Sequence, residues 1–116
     1  MSWLSEHCAA RRLAAARRGG LLADRELRAR AFRQAPPIPF AAALARGRAP
    51  AVIAEIKFRS PSEGELRTRR DAAFVARSYE LNGAAALSVL IDETHFSGRL
   101  DYLAEARMAT SLPVLA

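Results

Sequence analysis

The chain has 116 residues, of which 51% are apolar and 26% charged, a composition typical of one soluble globular domain. No apolar run approaches the ~20 residues of a membrane-spanning helix. The first 20 residues mix Arg with Ala, so a secretory signal is not predicted, and Glu6 argues against a transit peptide. The single Cys8 can form no internal disulfide, which favours a reducing, cytoplasmic location.

The net charge of +6 has an unusual make-up. Of the 18 basic residues, 17 are Arg and one is Lys57. Arg is a fixed planar cation, whereas the pKa of Lys moves when the ammonium is desolvated. Two explanations for the single lysine among so many arginines are open: a genome rich in Arg codons, or a functional need for one lysine.

Three helical segments are predicted in the first 50 residues. Residues 2–18 are rich in Ala and end at Gly19-Gly20. Residues 22–34 predict a second helix. The prolines of residues 35–40 predict a stiff extended linker, because each Pro disfavours helix at and before its own position. A short helix then ends at Gly47.

From Ala51 the pattern changes to alternating strands and helices. Apolar runs predict strands over 51–57, 85–90 and 112–116. Helices are predicted from the capping Asp71 to Gly83 and over 99–110, with polar loops over 58–70 and 91–98. This β-α-β-α-β order requires parallel strands joined by right-handed crossovers.

Two charged residues interrupt the first of these strands. Glu55 and Lys57 share one face with Ile53, opposite Ala54 and Ile56. Charged groups at the C-terminal end of a parallel strand, on the face away from the helices, stand where α/β enzymes place catalytic groups. The alternative is an ion pair without function or charges turned to solvent. Because burying charges for stability alone is unfavourable, the functional interpretation is preferred.

Three stretches resemble the indole-3-glycerol-phosphate synthase family, enzymes of tryptophan biosynthesis. "VIAEIKFRSPSEGE" resembles the family's first-strand signature, a Glu-x-Lys followed by Ser-Pro-Ser-x-Gly. "YELNGAAALSVLIDETHFSGRLDYL" resembles its second signature, which ends in Phe-x-Gly, and "LPVLA" resembles the start of its third strand. The N-terminal helices resemble the extension that these enzymes carry on their barrel.

The resemblance implies a (β/α)8, or TIM, barrel and a lyase activity. The implied reaction closes the indole ring of 1-(2-carboxyphenylamino)-1-deoxyribulose 5-phosphate, with loss of carbon dioxide and water. The fold class predicted is therefore α/β, a partial TIM barrel of three strands and two crossover helices over residues 51–116, after a helical extension over residues 1–50. No metal or other cofactor is implied, and the partner implied is a small phosphorylated substrate.

The same resemblance implies roles for four residues. Lys57 is expected to be an active-site cation near the substrate carboxylate and the reacting centre, held and tuned by Glu55. Ser60 is expected on the phosphate side of the substrate. Phe96 is expected to pack on the anthranilate ring, where an apolar face is needed.

Two residues and the length depart from the family pattern. Glu63 replaces a common basic residue after Ser-Pro-Ser, and Ala72 replaces a common helix-opening Pro. A TIM barrel takes ~250 residues, and this chain stops where the family continues with a Lys-Asp-Phe run that carries its principal general acid. An N-terminal portion, inactive alone and prone to self-association through open strand edges, is therefore expected.

Three other classes stay open: an inactive fragment, a subunit that needs a separately encoded second half of the barrel, and a basic binding module. Acidic residues interrupt the arginines of the first 33 residues and aromatics do not interleave with them, so a solvated helix face is preferred to a nucleic-acid site. The adjacent His7 and Cys8 are unsuited to one metal site. The four loop arginines either attract the substrate's anionic groups or keep a long loop solvated; they are Arg59, Arg67, Arg69 and Arg70.

Overall fold

A computed structural model describes residues 2–20, 22–47 and 49–116. The helices are α1 (Trp3–Gly19), α2 (Asp24–Phe32), α3 (Phe40–Arg46), α4 (Ala72–Leu81), α5 (Glu93–Phe96) and α6 (Leu100–Ala109). The strands are β1 (Ile53–Ile56), β2 (Arg59–Ser60), β3 (Gly64–Glu65), β4 (Ala86–Val89) and β5 (Val114–Leu115). Among the described residues, no helix is both long enough and apolar enough to cross a bilayer.

The chain divides into two compact units, residues 1–36 and residues 37–116. The first unit contains α1 and α2, and the second contains α3 and the sheet, against which α3 packs at β4. The predicted boundary between the helical extension and the partial barrel lies between residues 50 and 51, where the alternation of strands and helices begins. This boundary stays a prediction.

Helix formation in the first unit follows the sequence signals. The Ser2 hydroxyl accepts a hydrogen bond from the Ser5 N–H and caps the start of α1. The helix ends at Gly19, with Gly20 as its C-cap. In α2, Arg30 Nε lies 2.9 Å from Glu26 Oε1, an exposed pair one helical turn apart. Both predicted helices are confirmed.

A parallel three-stranded sheet in the order β1-β4-β5 forms the centre of the second unit. Ile53 pairs with Ala86 and Ile56 with Val89, while Leu87 pairs with Val114. Within this sheet, each strand therefore lies beside the next one of the same sheet along the chain, and the crossover helices α4 and α6 join them. The predicted α/β class with a parallel sheet is confirmed.

The apolar core lies between this sheet and the helices α4 and α6. Ile56, Leu87 and Val89 are its largest fully buried side chains. They pack with small residues of the helices, Ala72 and Ala76 of α4 and Ala106 of α6, and this lets the helices approach the sheet closely. Removing a fully buried Leu or Ile side chain from such a core costs about 2–5 kcal/mol.

The caps of α4 agree with the sequence. The Asp71 carboxylate accepts a hydrogen bond of 2.8 Å from the Phe74 N–H, and this bond is the main reason that the pKa of Asp71 is lowered. Gly83 follows the end of the helix with φ at 89°, a conformation that glycine adopts without strain.

Two predicted loops contain short regular elements that no sequence pattern indicates. The polar loop over 58–70 folds into an antiparallel hairpin in which Arg59 pairs with Glu65 and Ser60 with Gly64. The loop over 91–98 contains the single turn of helix α5. Each element is too short to produce a hydrophobic period, so the periodicity of the sequence could not reveal it.

Glu80 joins the end of α4 to the segment that precedes β5. Its carboxylate accepts a hydrogen bond of 2.9 Å from the Thr110 hydroxyl, another of 3.1 Å from the Ser111 N–H, and a third from the Ser111 hydroxyl. The bond from the Ser111 side chain is the largest cause of a lowered pKa of Glu80, with the Thr110 bond adding to it and burial opposing it. Glu80 thereby fastens the two crossover helices at the same end.

This lowered pKa gives a testable pH dependence. The stabilisation by ionised Glu80 is complete above the ordinary Glu pKa of about 4.3 and is lost as the pH falls through the lower folded-state pKa. We expect Glu80→Gln to lower the free energy of unfolding at pH 7 by about 1–2 kcal/mol and to flatten its decline between pH 5 and 3. Denaturant melts across this range, in a protein that contains this segment, measure both effects.

The control variant is Glu105→Gln, which changes an exposed carboxylate on α6. If the free energy of unfolding of Glu80→Gln depends on pH in the same way as that of Glu105→Gln and of the unmodified protein, Glu80 does not have this role.

Candidate active site

The charged residues of the first strand lie at its C-terminal end. Lys57 Nζ is 3.3 Å from Glu55 Oε1, and the two side chains are 32% and 45% exposed. Between them, Ile56 is buried in the core on the helix side. The predicted alternation is therefore confirmed: Ile56 faces the helices, and the ion pair lies on the other face of the sheet.

The backbone beneath this ion pair is held from two directions. The Tyr79 hydroxyl of α4 donates a hydrogen bond of 3.1 Å to the Glu55 carbonyl oxygen. The Leu90 N–H, just beyond β4, donates one of 3.1 Å to the Ile56 carbonyl. The end of β1 is thus fixed to both its neighbours, and with it the backbone from which the Lys57 side chain extends.

The strand register adds a polar residue to the face that carries the ion pair. Glu55 pairs with Ser88, and Ser88 pairs with Leu115, so these residues form one row on the face away from α4 and α6. Sequence alone allowed Leu87 or Ser88, and Val114 or Leu115, on this face. The hydroxyl of Ser88 is therefore the polar group that the neighbouring strand presents beside Glu55.

Ser60 lies in β2 and is only 6% exposed. Its hydroxyl accepts a hydrogen bond of 3.0 Å from the Glu63 N–H and lies 3.4 Å from the Ser62 hydroxyl. These contacts close the Ser-Pro-Ser turn. The hydrogen bonds of Ser60 are thus made within its own turn and not with Glu55 or Lys57.

Phe96 is the last residue of α5 and is partly buried. Asp92 caps this helix by accepting a hydrogen bond of 2.8 Å from the His95 N–H. The helix contacts β2, so the structure brings the segments of Ser60 and Phe96 together. Because β1 and β4 are parallel, these segments follow the same edge of the sheet as the Glu55–Lys57 pair.

Two of the four loop arginines have an acidic partner within the loop region. Arg69 Nη2 is 2.9 Å from Asp71 Oδ2, and the Arg69 guanidinium lies 6.0 Å from the centre of the Phe74 ring. Arg70 forms an ion pair with Glu65. The positive field of these two residues is therefore largely compensated locally, and Arg59 and Arg67 are the better candidates to attract an anion.

Comparison with known sequences places these residues in a family. The sequence model described as indole-3-glycerol phosphate synthase matches residues 5–116. The chain belongs to the indole-3-glycerol phosphate synthase family. The resemblance seen in the strand signatures is thus confirmed over nearly the whole chain.

Individual relatives agree with this assignment. The indole-3-glycerol phosphate synthase of Leifsonia xyli subsp. xyli is 50% identical over 96 residues, which cover 80% of this chain and 37% of the relative. That of Burkholderia multivorans is 61% identical over 66 residues, covering 57% and 25%. That of Acaryochloris marina is 49% identical over 81 residues, covering 69% and 27%. The chain thus spans between a quarter and two fifths of the length of these relatives.

The Phe-x-Gly end of the second signature has a steric reason in this structure. A Cβ atom added to Gly98 would lie 2.3 Å from the Leu90 carbonyl oxygen and 2.6 Å from the carbonyl carbon of Ile91. The Gly98 N–H also donates a hydrogen bond of 2.8 Å to the Asp92 carbonyl oxygen. Only glycine lets the chain return this closely over the end of β4, and this return fixes α5 and Phe96.

We therefore expect Gly98→Ala to displace the segment that carries Phe96. The obstructing atoms are backbone and cannot rotate away, so the free energy of unfolding should fall by about 1–3 kcal/mol. Thermal or denaturant unfolding of a protein containing this segment measures this loss.

Gly47→Ala is the matched control, because nothing lies within 4 Å of a Cβ at that position. Equal stability of the two variants would contradict the close packing at Gly98.

Proposed function

We propose that this chain is part of an indole-3-glycerol-phosphate synthase, with the Glu55–Lys57 pair in its active site. The observation that carries the proposal is the pair itself, charged and partly exposed, at the C-terminal end of a parallel strand inside the family's signature. The reaction converts 1-(2-carboxyphenylamino)-1-deoxyribulose 5-phosphate to indole-3-glycerol phosphate and releases carbon dioxide and water.

We further propose that β1, β4 and β5 are the first three strands of a (β/α)8 barrel, with α4 and α6 as its first two crossover helices. Two observations support this arrangement. Successive strands are neighbours in the parallel order β1-β4-β5, as around a barrel. The helices cover one face of the sheet, and the ion pair lies on the other, which would be the inside of the barrel.

In this proposal Lys57 acts on the reacting centre. Ring closure places negative charge on the substrate carbonyl oxygen, and a positioned ammonium stabilises that charge and can deliver a proton. Its positive charge also attracts the substrate carboxylate. Glu55 keeps the ammonium in place through the 3.3 Å ion pair.

The two remaining residues would bind the non-reacting parts of the substrate. Ser60 sits in a turn beside the exposed Ser62, whose hydroxyl lies 3.4 Å from its own, and both hydroxyls can donate to a phosphate oxygen. Phe96 offers an aromatic face to the anthranilate ring. The contact between α5 and β2 supports one continuous site made from both segments.

A hybrid enzyme tests the proposed function directly. The matching residues of the Leifsonia xyli synthase are replaced by this chain, and the hybrid is expressed in a bacterium that lacks its own synthase. We expect growth without tryptophan. A purified hybrid that unfolds at the same temperature as the parent enzyme but does not turn over the substrate would contradict the proposal.

In this hybrid, Lys57→Arg should reduce kcat at least ~100-fold, the scale of one positioned acid–base group. The charge is retained, but the bulky guanidinium cannot occupy the same place or give up a proton at neutral pH. The control is the same exchange in reverse at an exposed site, Arg107→Lys on α6. Near-normal turnover of the Lys57 variant would remove Lys57 from the catalytic machinery.

Phe96→Ala should raise KM for the substrate about tenfold or more, because an aromatic stacking contact and its buried area are lost. The unfolding temperature should change by only a few degrees. If Phe96 instead serves the core, the stability loss would reach about 3–5 kcal/mol and KM of the folded fraction would stay unchanged.

A further inference from the structure

The carbonyl oxygen of Glu55 lies on the open edge of the parallel sheet. The Val52 carbonyl accepts a hydrogen bond of 3.4 Å from the Ala86 N–H, and the Ile56 carbonyl accepts one of 3.1 Å from the Leu90 N–H, so both point toward β4. Because the backbone carbonyls of successive residues in a strand point to opposite edges, the Glu55 carbonyl points away from β4. In the sheet that the described residues form, β1 is an end strand, so no strand of that sheet covers this carbonyl.

A side chain of α4 reaches this open edge. The Tyr79 hydroxyl donates a hydrogen bond of 3.1 Å to the Glu55 carbonyl oxygen, although the two residues are 24 positions apart in the chain. Tyr79 belongs to the face of α4 that packs on the sheet, since it follows the buried Ala72, Val75 and Ala76 at helical spacing. The two alanines let the helix lie close to β1, and the longer tyrosine side chain brings its hydroxyl to the edge carbonyl.

This bond acts on the backbone between the two charged residues. Two peptide units separate the Cα atoms of Glu55 and Lys57. The first contains the Glu55 carbonyl, which is bonded by Tyr79, and the second contains the Ile56 carbonyl, which is bonded by the Leu90 N–H. Each of the two peptide planes from which the charged side chains take their directions therefore has its own anchor, one in α4 and one beyond β4.

The chain just after Lys57 is held by apolar packing instead. The Phe58 ring meets the Tyr102 ring edge to face, with centroids 5.0 Å apart and planes at 72°. Phe58 is 3% exposed and Tyr102 is 6% exposed, so this contact is buried on the helix side. The Tyr79 hydroxyl therefore holds β1 from a side that this contact does not reach.

We propose that Tyr79 is a positioning residue for the Glu55–Lys57 pair: its hydroxyl fixes the peptide unit between Glu55 and Ile56 at the open edge, and so sets where the carboxylate and the ammonium are presented. The part that concerns catalysis rests on the proposed synthase function. A carbonyl oxygen can accept two hydrogen bonds, so Tyr79 can keep this bond when a further strand of a barrel pairs with β1. A phenylalanine would fill the same space beside the core but would not anchor the peptide unit.

Amide hydrogen exchange in the full-length protein that carries this segment measures the anchor without reference to activity. Tyr79→Phe keeps the ring beside the core and removes the bond to the Glu55 carbonyl. We expect exchange in the peptide over residues 53–57 to accelerate about three- to tenfold, the effect of one net hydrogen bond. The peptide over α6 should exchange as in the unmodified protein.

Ser78→Ala is the matched control, because the Ser78 hydroxyl donates a hydrogen bond of 2.9 Å to the Phe74 carbonyl within α4 and not to β1. It should leave exchange in both peptides unchanged. Unaltered exchange over 53–57 in Tyr79→Phe would overturn the proposal. Equal acceleration over 53–57 and over α6 would also overturn it, because the substitution would then act on the stability of the whole domain.

A double-mutant cycle with Lys57 distinguishes positioning from a structural role. Tyr79→Phe should lower kcat/KM about three- to tenfold, at temperatures where the variant is fully folded. In a Lys57→Gln background, whose residual turnover is followed with enzyme in excess over substrate, the same substitution should have no further effect, because the ammonium that Tyr79 positions is absent. An unchanged kcat/KM in the first background, or equal losses in both, would refute the effect on Lys57.

Absence of synthase activity in the unmodified full-length protein would instead refute the proposed function. The exchange experiment would still decide whether Tyr79 anchors the edge of β1.

Discussion

The alternation of side chains at the end of β1 is the constraint on which the rest of the structure depends. Ile56 and Phe58 are buried among the helices, and the charged residues stand on the positions between them. Burial of the two apolar side chains on one face leaves the opposite face to Glu55 and Lys57. The same apolar contacts that stabilise the domain therefore expose the ion pair. A shift of one residue would turn both charges toward the helices, where their removal from water is costly.

The elements around this strand serve the same arrangement. α4 supplies the Tyr79 hydroxyl to the backbone of Glu55, and α6 supplies Tyr102 to the loop that follows Lys57. Glu80 connects the ends of the two helices through the segment before β5. Each helix thus has a packing role in the core and a polar or aromatic contact that holds the strand end in place.

Much of this could be predicted from local sequence patterns. The strands followed from apolar runs, the start of α4 from the capping Asp71, and its end from Gly83. The face of the ion pair followed from alternation alone.

The contact between Phe58 and Tyr102 could not be predicted, because it joins residues 44 positions apart and neither carries a local signal. The pairing of Ser88 with Glu55 depends on a register that one apolar strand cannot fix, since Leu87 and Ser88 both suit a neighbouring strand. In the sequence, Glu80 looks like an ordinary polar residue of a helix. Its hydrogen bonds could not be predicted, because only the fold brings Thr110 and Ser111 beside it.

The turn at Ser60 determines which further hydrogen bonds the Ser60 hydroxyl can make. A hydroxyl can accept two hydrogen bonds and donate one, and the Glu63 N–H uses an accepting position of Ser60. In the 3.4 Å contact between the Ser60 and Ser62 hydroxyls either group can be the donor. When Ser62 donates, the Ser60 proton is available to an acceptor such as a phosphate oxygen, so donation and closure of the turn are compatible. An aspartate could accept the same bond from the Glu63 N–H, but it would have no proton to donate and would repel an anion. A serine here thus satisfies the turn and still retains the polarity that an anionic ligand requires.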